Sequence, residues 1–225
     1  MATGIMILGE SGSGKSTSIE NLNPKETFIV QSVNKPLPFK GFKNNYTLRT
    51  KDNPEGNRYV TDETSKIIKL LKSLNEDSKI KQIVLDDVQY TIINSFMKDI
   101  KEKKIGAAAF ERYNDLAKSY WDLIMVLNEL REDLLVFFLS HIEEDKEGKI
   151  GVRTIGKLLS EKIKIEGFFS IVLLCEVNNR EYTFRTQTID GNDPCKSPRG
   201  MFEELNIPND LLTVKNKINE YYEEV

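Results

Sequence analysis

The sequence predicts an α/β fold: a mostly parallel central sheet flanked by helices and extended by a C-terminal antiparallel hairpin. Three observations lead to this prediction. Short apolar runs alternate with segments of helical periodicity over the first 140 residues. A glycine-rich loop follows the first run, and two β-rich runs later surround a tight polar turn. In 225 residues we expect one domain, 1–225, to which the hairpin and last helix (about 166–225) belong.

The strands are predicted from apolar runs of four to eight residues that end at turn-forming or charged residues. Core strands are expected at Thr3–Leu8, Thr27–Gln31, Ile80–Leu85 and Leu134–Ser140, a short strand at Tyr46–Arg49, and the hairpin at Phe168–Val177 and Glu181–Thr188.

The helices are predicted from apolar residues at helical spacing and from capping and breaking residues. A first helix should begin near Lys15 and end before Asn23-Pro24, because proline disfavours helix in the residue before it. Further helices are expected behind the cap Thr61–Glu63, at 91–104, at Phe110–Leu130, near Gly156–Ile165 and near Asn209–Tyr222.

Composition excludes several classes of protein. A net charge of −3 argues against a uniformly basic nucleic-acid-coating protein. Two cysteines, Cys175 and Cys195, form no disulfide framework, which favours a reducing compartment. The N-terminal residues lack a signal peptide, and no apolar run approaches the roughly 20 residues that span a bilayer. We therefore expect a cytoplasmic protein without a membrane partner.

The stretch GESGSGKST, Gly9–Thr17, has the spacing of a phosphate-binding loop (Walker A) and is called the phosphate loop below. Its glycines allow successive backbone N–H groups to face phosphate oxygens, Lys15 reaches the β- and γ-phosphates, and the Ser16 hydroxyl ligates Mg²⁺. The helix expected at Lys15 would add its positive end. The nucleotide-binding set is Gly9, Glu10, Ser11, Gly12, Ser13, Gly14, Lys15, Ser16 and Thr17.

A nucleotide–Mg²⁺ site also needs an aspartate at the end of a neighbouring buried strand (Walker B), and KQIVLDDVQY supplies it. Asp86 should hold Mg²⁺ through a water molecule. Asp87 either activates the attacking water or is a solvent-facing or helix-capping carboxylate.

His141 is the only histidine and directly follows the apolar run LLVFFLS. It should lie at the carboxyl edge of the sheet, where ligands of open α/β sheets bind. It is either a residue that contacts the γ-phosphate or the water, or a structural loop residue.

Beyond these motifs, the chain resembles the phage-encoded AAA/RecA-like ATP-binding proteins, a group that includes Sak-type single-strand annealing proteins. The resemblance rests on GESGSGKST, NPKETFIVQSVNKPLPFKGF, IVLDDVQY, FFLSHIEED with RTIGKLL, and CKSPRGMFEELNIPNDL. It implies a RecA-like core in which the strand ending at Ser140 separates the Asp86 strand from the phosphate-loop strand.

The resemblance also implies ATP hydrolysis with Mg²⁺ and a role in phage DNA recombination or replication, in the host cytoplasm, with single-stranded DNA as partner. It implies homo-oligomers with ATP at subunit interfaces. There Lys196 or Arg199 could reach a neighbour's γ-phosphate; the alternative is an ordinary solvated loop. RecA-type enzymes often carry a catalytic glutamate after their second strand, whereas QSVNK here has no acid.

A lysine-rich segment followed by aromatic residues is the candidate DNA contact. Its cations are Lys98, Lys101, Lys103, Lys104 and Arg112. Cations beside aromatic rings suit single-strand binding, because they pair with phosphates while the rings stack on bases. The alternative is a solvated helix face.

Two other functions stay open. The loop is similar to those of gluconate-type kinases, but the chain lacks paired arginines between the lysine-rich segment and residue 150. A nucleotide-dependent switch or adaptor that does not hydrolyse ATP would be consistent with the missing glutamate.

Overall fold

The computed structural model describes residues 1–99, 107–155 and 158–223, and its centre is a mixed, mostly parallel sheet. The strands within the described ranges are β1 Thr3–Gly9, β2 Thr27–Gln31, β3 Arg58–Val60, β4 Gln82–Asp86, β5 Leu135–Glu144, β6 Ile150–Val152, β7 Ile171–Asn178, β8 Glu181–Arg185 and β9 Asn206–Pro208. Their order across the sheet is β3-β2-β4-β5-β1-β7-β8-β9, with β6 paired to the end of β5.

Helices cover both faces of this sheet. They are α1 Phe42–Asn45, α2 Thr64–Asn75, α3 Tyr90–Asp99, α4 Ala107–Met125 and α5 Leu211–Glu223, with 3₁₀ turns at Thr17–Ile19, Val126–Glu129 and Ile165–Phe168 and a π-helical turn at Leu158–Ile163. Side chains alternate along β1, so Met6 packs on the face covered by α2 and α4, while Ile7 packs on the face covered by α5.

The strand order confirms the predicted fold class. From β3 to β7 all neighbouring strands are parallel, and β8 and β9 then add antiparallel pairs at the C-terminal side. Strand β5 lies between β4 and β1, which is the order that the family resemblance implied. The turn of the β7–β8 hairpin has Asn179 at φ 50° and Arg180 at φ 69°, the backbone of a type I′ turn, whose twist matches that of the strands.

The helix predicted after the phosphate loop is wrong. Only the 3₁₀ turn Thr17–Ile19 forms there, held by bonds such as Glu20 N to Thr17 O at 3.0 Å. Asn23-Pro24 leaves room for about two helical turns, and the serine and threonine residues of KSTS are poor in helix interiors. The phosphate loop is therefore followed by a short 3₁₀ turn, and not by a long helix whose positive end would face the phosphates.

Other boundaries also differ from the predictions. The strand expected at Tyr46–Arg49 is reduced to one bridge from Leu48 to Arg58, because β3 takes the edge position beside β2. The helix expected near Gly156–Ile165 is a π-helical turn over Leu158–Ile163, and residues 156 and 157 lie outside the described ranges. Strand β9 had no prediction because its three residues carry no alternation of their own.

Both cysteines are buried and form no disulfide with each other. In the described part of the chain, no helix combines the length and apolar character needed to cross a membrane.

Candidate nucleotide site

The site lies at the carboxyl edge of the parallel strands, where strand register brings distant residues level. Gly9, the last residue of β1, is paired with His141 on β5. Gln31, the last residue of β2, is paired with Asp86 at the end of β4. The phosphate loop and the acidic residues therefore face the same edge.

The shape of the phosphate loop depends on glycine at two positions. Gly14 has φ +95°, and a Cβ atom there would lie 2.9 Å from Asn209 Oδ1 and 3.0 Å from the Tyr182 ring. A Cβ atom on Gly9 would lie 2.8 Å from Cys175 Cβ. The loop therefore packs closely on β7, β8 and the start of α5, which leaves no room for larger residues.

Lys15 is 5% exposed and lies along the loop. Its Nζ donates hydrogen bonds to the carbonyl oxygens of Gly9 at 2.8 Å and Glu10 at 2.7 Å. Burial lowers the pKa of Lys15, while the nearby charges of Asp86 and Asp87 act in the opposite direction.

Ser16 and Asp86 meet although 70 residues separate them: Ser16 Oγ donates to Asp86 Oδ1 at 2.7 Å. The other carboxylate oxygen of Asp86 accepts a 3.2 Å bond from Gln31 Nε2. Burial and the neighbouring charge of Asp87 raise the pKa of Asp86, against the effect of the Ser16 bond.

Asp87 is held between two basic side chains. Lys35 Nζ contacts its Oδ2 atom, and His141 Nε2 lies 3.4 Å from its Oδ1 atom. Burial alone would raise the pKa of Asp87, but the contacts from His141 and Lys35 outweigh burial and lower the pKa to about 2. Its backbone has φ 59°, in the left-handed region, which costs about 1 kcal/mol outside glycine.

His141 is fixed from several sides. Its backbone N–H donates to Gln89 Oε1 at 3.3 Å, and the Tyr90 ring packs edge-on with 6.2 Å between ring centroids. Its side chain is 14% exposed, so it borders the site without being sealed in the core.

These residues surround a cleft of about 530 Å³ that crosses the carboxyl edge of the sheet. The phosphate loop lies in the middle. Asp87, His141 and Lys35 line the cleft on the β4–β5 side, called the carboxylate end, while Tyr182 and Asn209 line the β8 side, called the hairpin end. Tyr182 is 49% exposed, so its ring is accessible at that end.

The phosphate loop thus lies in the middle of the cleft with Asp86 buried behind Ser16, and Asp87 and His141 lie at the carboxylate end. The two candidate residues of the CKSPRG segment are not at this edge. Lys196 pairs through its backbone with Val172, in the middle of the sheet, at 2.8 and 3.0 Å. Arg199 accepts a 3.3 Å bond from the Tyr221 hydroxyl at its carbonyl oxygen and is exposed.

Two of the five candidate DNA-contact residues, Lys98 and Arg112, lie within the described residues. Lys98 forms an ion pair with Asp62, at 2.7 Å. The Arg112 guanidinium stacks on Phe96, 4.5 Å from the ring centroid, and bonds to the Phe96 carbonyl oxygen. Lys101, Lys103 and Lys104 lie outside the described residues.

Four residues of the site were missed from the sequence: Lys35, Gln31, Tyr182 and Asn209. Lys35 and Gln31 carried a signal, since both lie at the end of β2 or just after it, at the edge where ligands bind. Tyr182 and Asn209 reach the phosphate loop only through hairpin pairing and the start of α5, which no local pattern indicates.

The residues fit Mg²⁺ and a nucleoside triphosphate. The glycine cradle leaves space that Cβ atoms would fill, and a hydroxyl and a buried carboxylate, the hard oxygen donors that Mg²⁺ prefers, lie 2.7 Å apart beside it. In the described ranges, no group of three or more histidine, cysteine and acidic residues forms a separate metal cluster.

Comparison with known proteins identifies one family and a similar solved structure. A family model described as an AAA domain matches residues 1–196. Among solved structures, a KaiC-like protein, PH0186, from Pyrococcus horikoshii OT3 is similar at 12% identity and a TM-score of 0.43, covering 81% of this chain and 76% of that one. No curated protein matches the chain.

Proposed function

The chain belongs to the AAA-domain family, and from that premise we propose that it is a Mg²⁺-dependent ATPase that works on DNA. The observation that carries the nucleotide part of the proposal is the 2.7 Å bond between Ser16 and Asp86 beside Lys15. This bond brings the hydroxyl of the phosphate loop next to the carboxylate at the end of β4, 70 residues away in the sequence. Phosphoryl transfer requires these two groups beside the same Mg²⁺ ion.

Each residue of the site has a defined task. The loop N–H groups hold the phosphates, and Lys15 exchanges its bonds to Gly9 and Glu10 for phosphate oxygens. Ser16 provides a direct oxygen ligand to Mg²⁺ and Asp86 an indirect one through water. Mg²⁺ held there would neutralise the charge of the phosphate oxygens.

Asp87 and His141 are the residues that we assign to the attacking water. With a pKa of about 2, Asp87 is a weak base, so it orients water more effectively than it removes a proton. The 3.4 Å contact to His141 holds both side chains at the carboxylate end of the cleft, which supports this assignment. This arrangement predicts slow hydrolysis unless a partner changes the site.

The DNA part of the proposal rests on the family resemblance and on one surface. Arg112 stacks on Phe96, whose ring centroid lies 5.6 Å from that of Tyr113. Such a pairing of cation and rings suits single-stranded DNA. Lys98, at the same surface, forms an ion pair with Asp62. The proposed setting is phage DNA recombination or replication in the host cytoplasm.

We also propose a homo-oligomer with ATP at subunit interfaces. Lys196 and Arg199 do not line the cleft of their own chain, so either would contact nucleotide only from a neighbouring subunit. Mass measurement with and without Mg²⁺-ATP tests this, and a monomer under both conditions would rule out such a role.

The test of the main function is phosphate release from ATP, measured with and without Mg²⁺ and single-stranded DNA. Wild type should turn over ATP only with Mg²⁺ and faster with DNA. Lys15→Ala should lose ATP binding, while the exposed Lys40→Ala in the loop after β2 should behave as wild type. Turnover that requires a small-molecule acceptor would instead identify a kinase.

A switch that binds ATP without hydrolysing it is the second candidate. It is favoured by the contacts of Asp87, both of whose oxygen atoms already face basic side chains. ATP binding that depends on Lys15, with no phosphate release under any condition, would establish this alternative.

A further inference from the structure

Lys35 occupies a position in the cleft that the phosphate-loop motif does not account for. It lies on the connection after β2, where the sequence QSVNK has no acidic residue. Its Nζ atom contacts Asp87, whose side chain is 3% exposed, while its own side chain is 41% exposed. One end of the ion pair is therefore fixed in the protein and the other borders the cleft.

The backbone of Lys35 is anchored, although its side chain borders solvent. Gln31 Nε2 donates to the Lys35 carbonyl oxygen at 3.2 Å and to Asp86 Oδ2 at the same distance. Two residues further on, Leu37 is 3% exposed and packs in the core on the α5 face. The connection thus holds the Cα atom of Lys35 near the Mg²⁺ ligand Asp86, and the long side chain alone is free to change partner.

The location of Lys35 selects one phosphate group of the nucleotide. It lies at the carboxylate end, and Lys15, Ser16 and Thr17 line the same cleft. In the phosphate-loop motif Lys15 and Ser16 face the β- and γ-phosphates, so a nucleotide whose base lies toward the hairpin end would carry its terminal phosphate toward the carboxylate end. A diphosphate bound in the same loop has no group there.

We propose that Lys35 binds the γ-phosphate of the nucleotide in its own subunit and so distinguishes ATP from ADP. In this arrangement the terminal phosphate replaces Asp87 as the main anionic partner of Lys35, because a multiply charged phosphate attracts an ammonium group more strongly than one carboxylate does. The inference rests on the proposed nucleotide site and names a residue that the phosphate-loop motif lacks.

The experiment is calorimetric titration, with Mg²⁺ present, of ADP and of the non-hydrolysable β,γ-imido analogue of ATP. Lys35→Met keeps the length of the side chain and removes its charge. It should weaken binding of the analogue about 10-fold and change binding of ADP less than 2-fold. Lys35→Arg should keep most of the preference for the analogue, and the exposed Lys40→Met should leave both affinities unchanged.

Two results would overturn the inference: an equal loss of affinity for both nucleotides in Lys35→Met, or no loss for either. If Lys35→Met does not fold, Lys35→Gln is titrated in its place with the same criteria. Failure of the proposed function is a separate result, because wild type would then bind neither nucleotide.

Discussion

Replacing Asp86 by asparagine should give a variant that is more stable than wild type without nucleotide and less stable than wild type when Mg²⁺-ATP is present. Asp86 is 1% exposed, and the neighbouring carboxylate of Asp87 repels its charge. The asparagine carbonyl can still accept the 2.7 Å bond from Ser16, while its amide group faces Gln31 and loses the 3.2 Å bond.

The magnitude follows from these terms. Removing the buried charge and its repulsion with Asp87 outweighs the lost attraction to Lys35 and Lys15 by about 2 kcal/mol, and losing one hydrogen bond costs about 1 kcal/mol. The net gain of about 1 kcal/mol corresponds to a Tm about 2–4 °C higher for a chain of this size. In wild type, Mg²⁺-ATP at about 100 times its Kd adds about 2.7 kcal/mol, which the variant should lose together with its Mg²⁺ ligand.

The assay is thermal unfolding with and without Mg²⁺-ATP, with Asp52→Asn, at an exposed position far from the cleft in the sequence, as control. The pH dependence supplies a second check. Because the folded-state pKa of Asp86 lies above 3.8, its unfavourable contribution is absent below pH 3.8 and grows as pH rises through the folded-state pKa. The advantage of Asp86→Asn should therefore vanish in acid. A variant that is less stable than wild type without nucleotide, or that keeps the full shift with Mg²⁺-ATP, would refute the reasoning.

Three further predictions concern the walls of the cleft. Gly14→Ala should lower the free energy of unfolding by about 2 kcal/mol, because Gly14 has φ +95° and an added Cβ atom would meet Asn209. Gly12→Ala should cost only about 1 kcal/mol, because Gly12 has φ +81° but open space around it. Urea unfolding curves of the two variants that coincide would contradict this. Tyr182 is exposed at the hairpin end of the cleft, across the phosphate loop from Asp87, where we expect the base to stack. Tyr182→Ala should therefore weaken ATP binding about 10-fold but leave tripolyphosphate binding unchanged, while Tyr182→Phe keeps both; titration with the two ligands separates base from phosphate contacts. Asp87→Asn should lose on the order of 2 kcal/mol of stability at neutral pH, because folding lowers the pKa of Asp87 from 3.8 to about 2. The stabilisation linked to this lowered pKa is present above pH 3.8 and is lost as pH falls through about 2. A variant whose deficit persists below pH 2 would show that charge is not the cause.

The sequence predicted the parts of the molecule that depend on local pattern. The apolar runs of β1, β2, β4 and β5 are buried along nearly their whole length, so composition alone located them. The glycine–lysine spacing likewise predicted a loop after β1, and the apolar run of β4 predicted Asp86 at the end of that strand.

The rest depends on contacts between distant segments. Lys35 reaches Asp87 only because Leu37 anchors the connection after β2 in the core. The short turn after the phosphate loop reflects competition between a weak helix former and a nearby proline, which spacing rules do not weigh. Tyr182 and Asn209 reach Gly14 through pairing of β7, β8 and β9, which sequence patterns of a few residues cannot register.

The contact between Gly14 and Asn209 has a consequence for shortened gene products. The family match ends at residue 196, so Asn209 and α5 lie beyond the matched region. A nonsense mutation soon after residue 196 would leave a polypeptide that keeps GESGSGKST and the whole region matched by the family model. That polypeptide would nevertheless lack Asn209, which packs on the turn at Gly14, together with the β9 partner of the strand carrying Tyr182. Possession of the motif is therefore a poor guide to nucleotide binding among truncated alleles of such a gene.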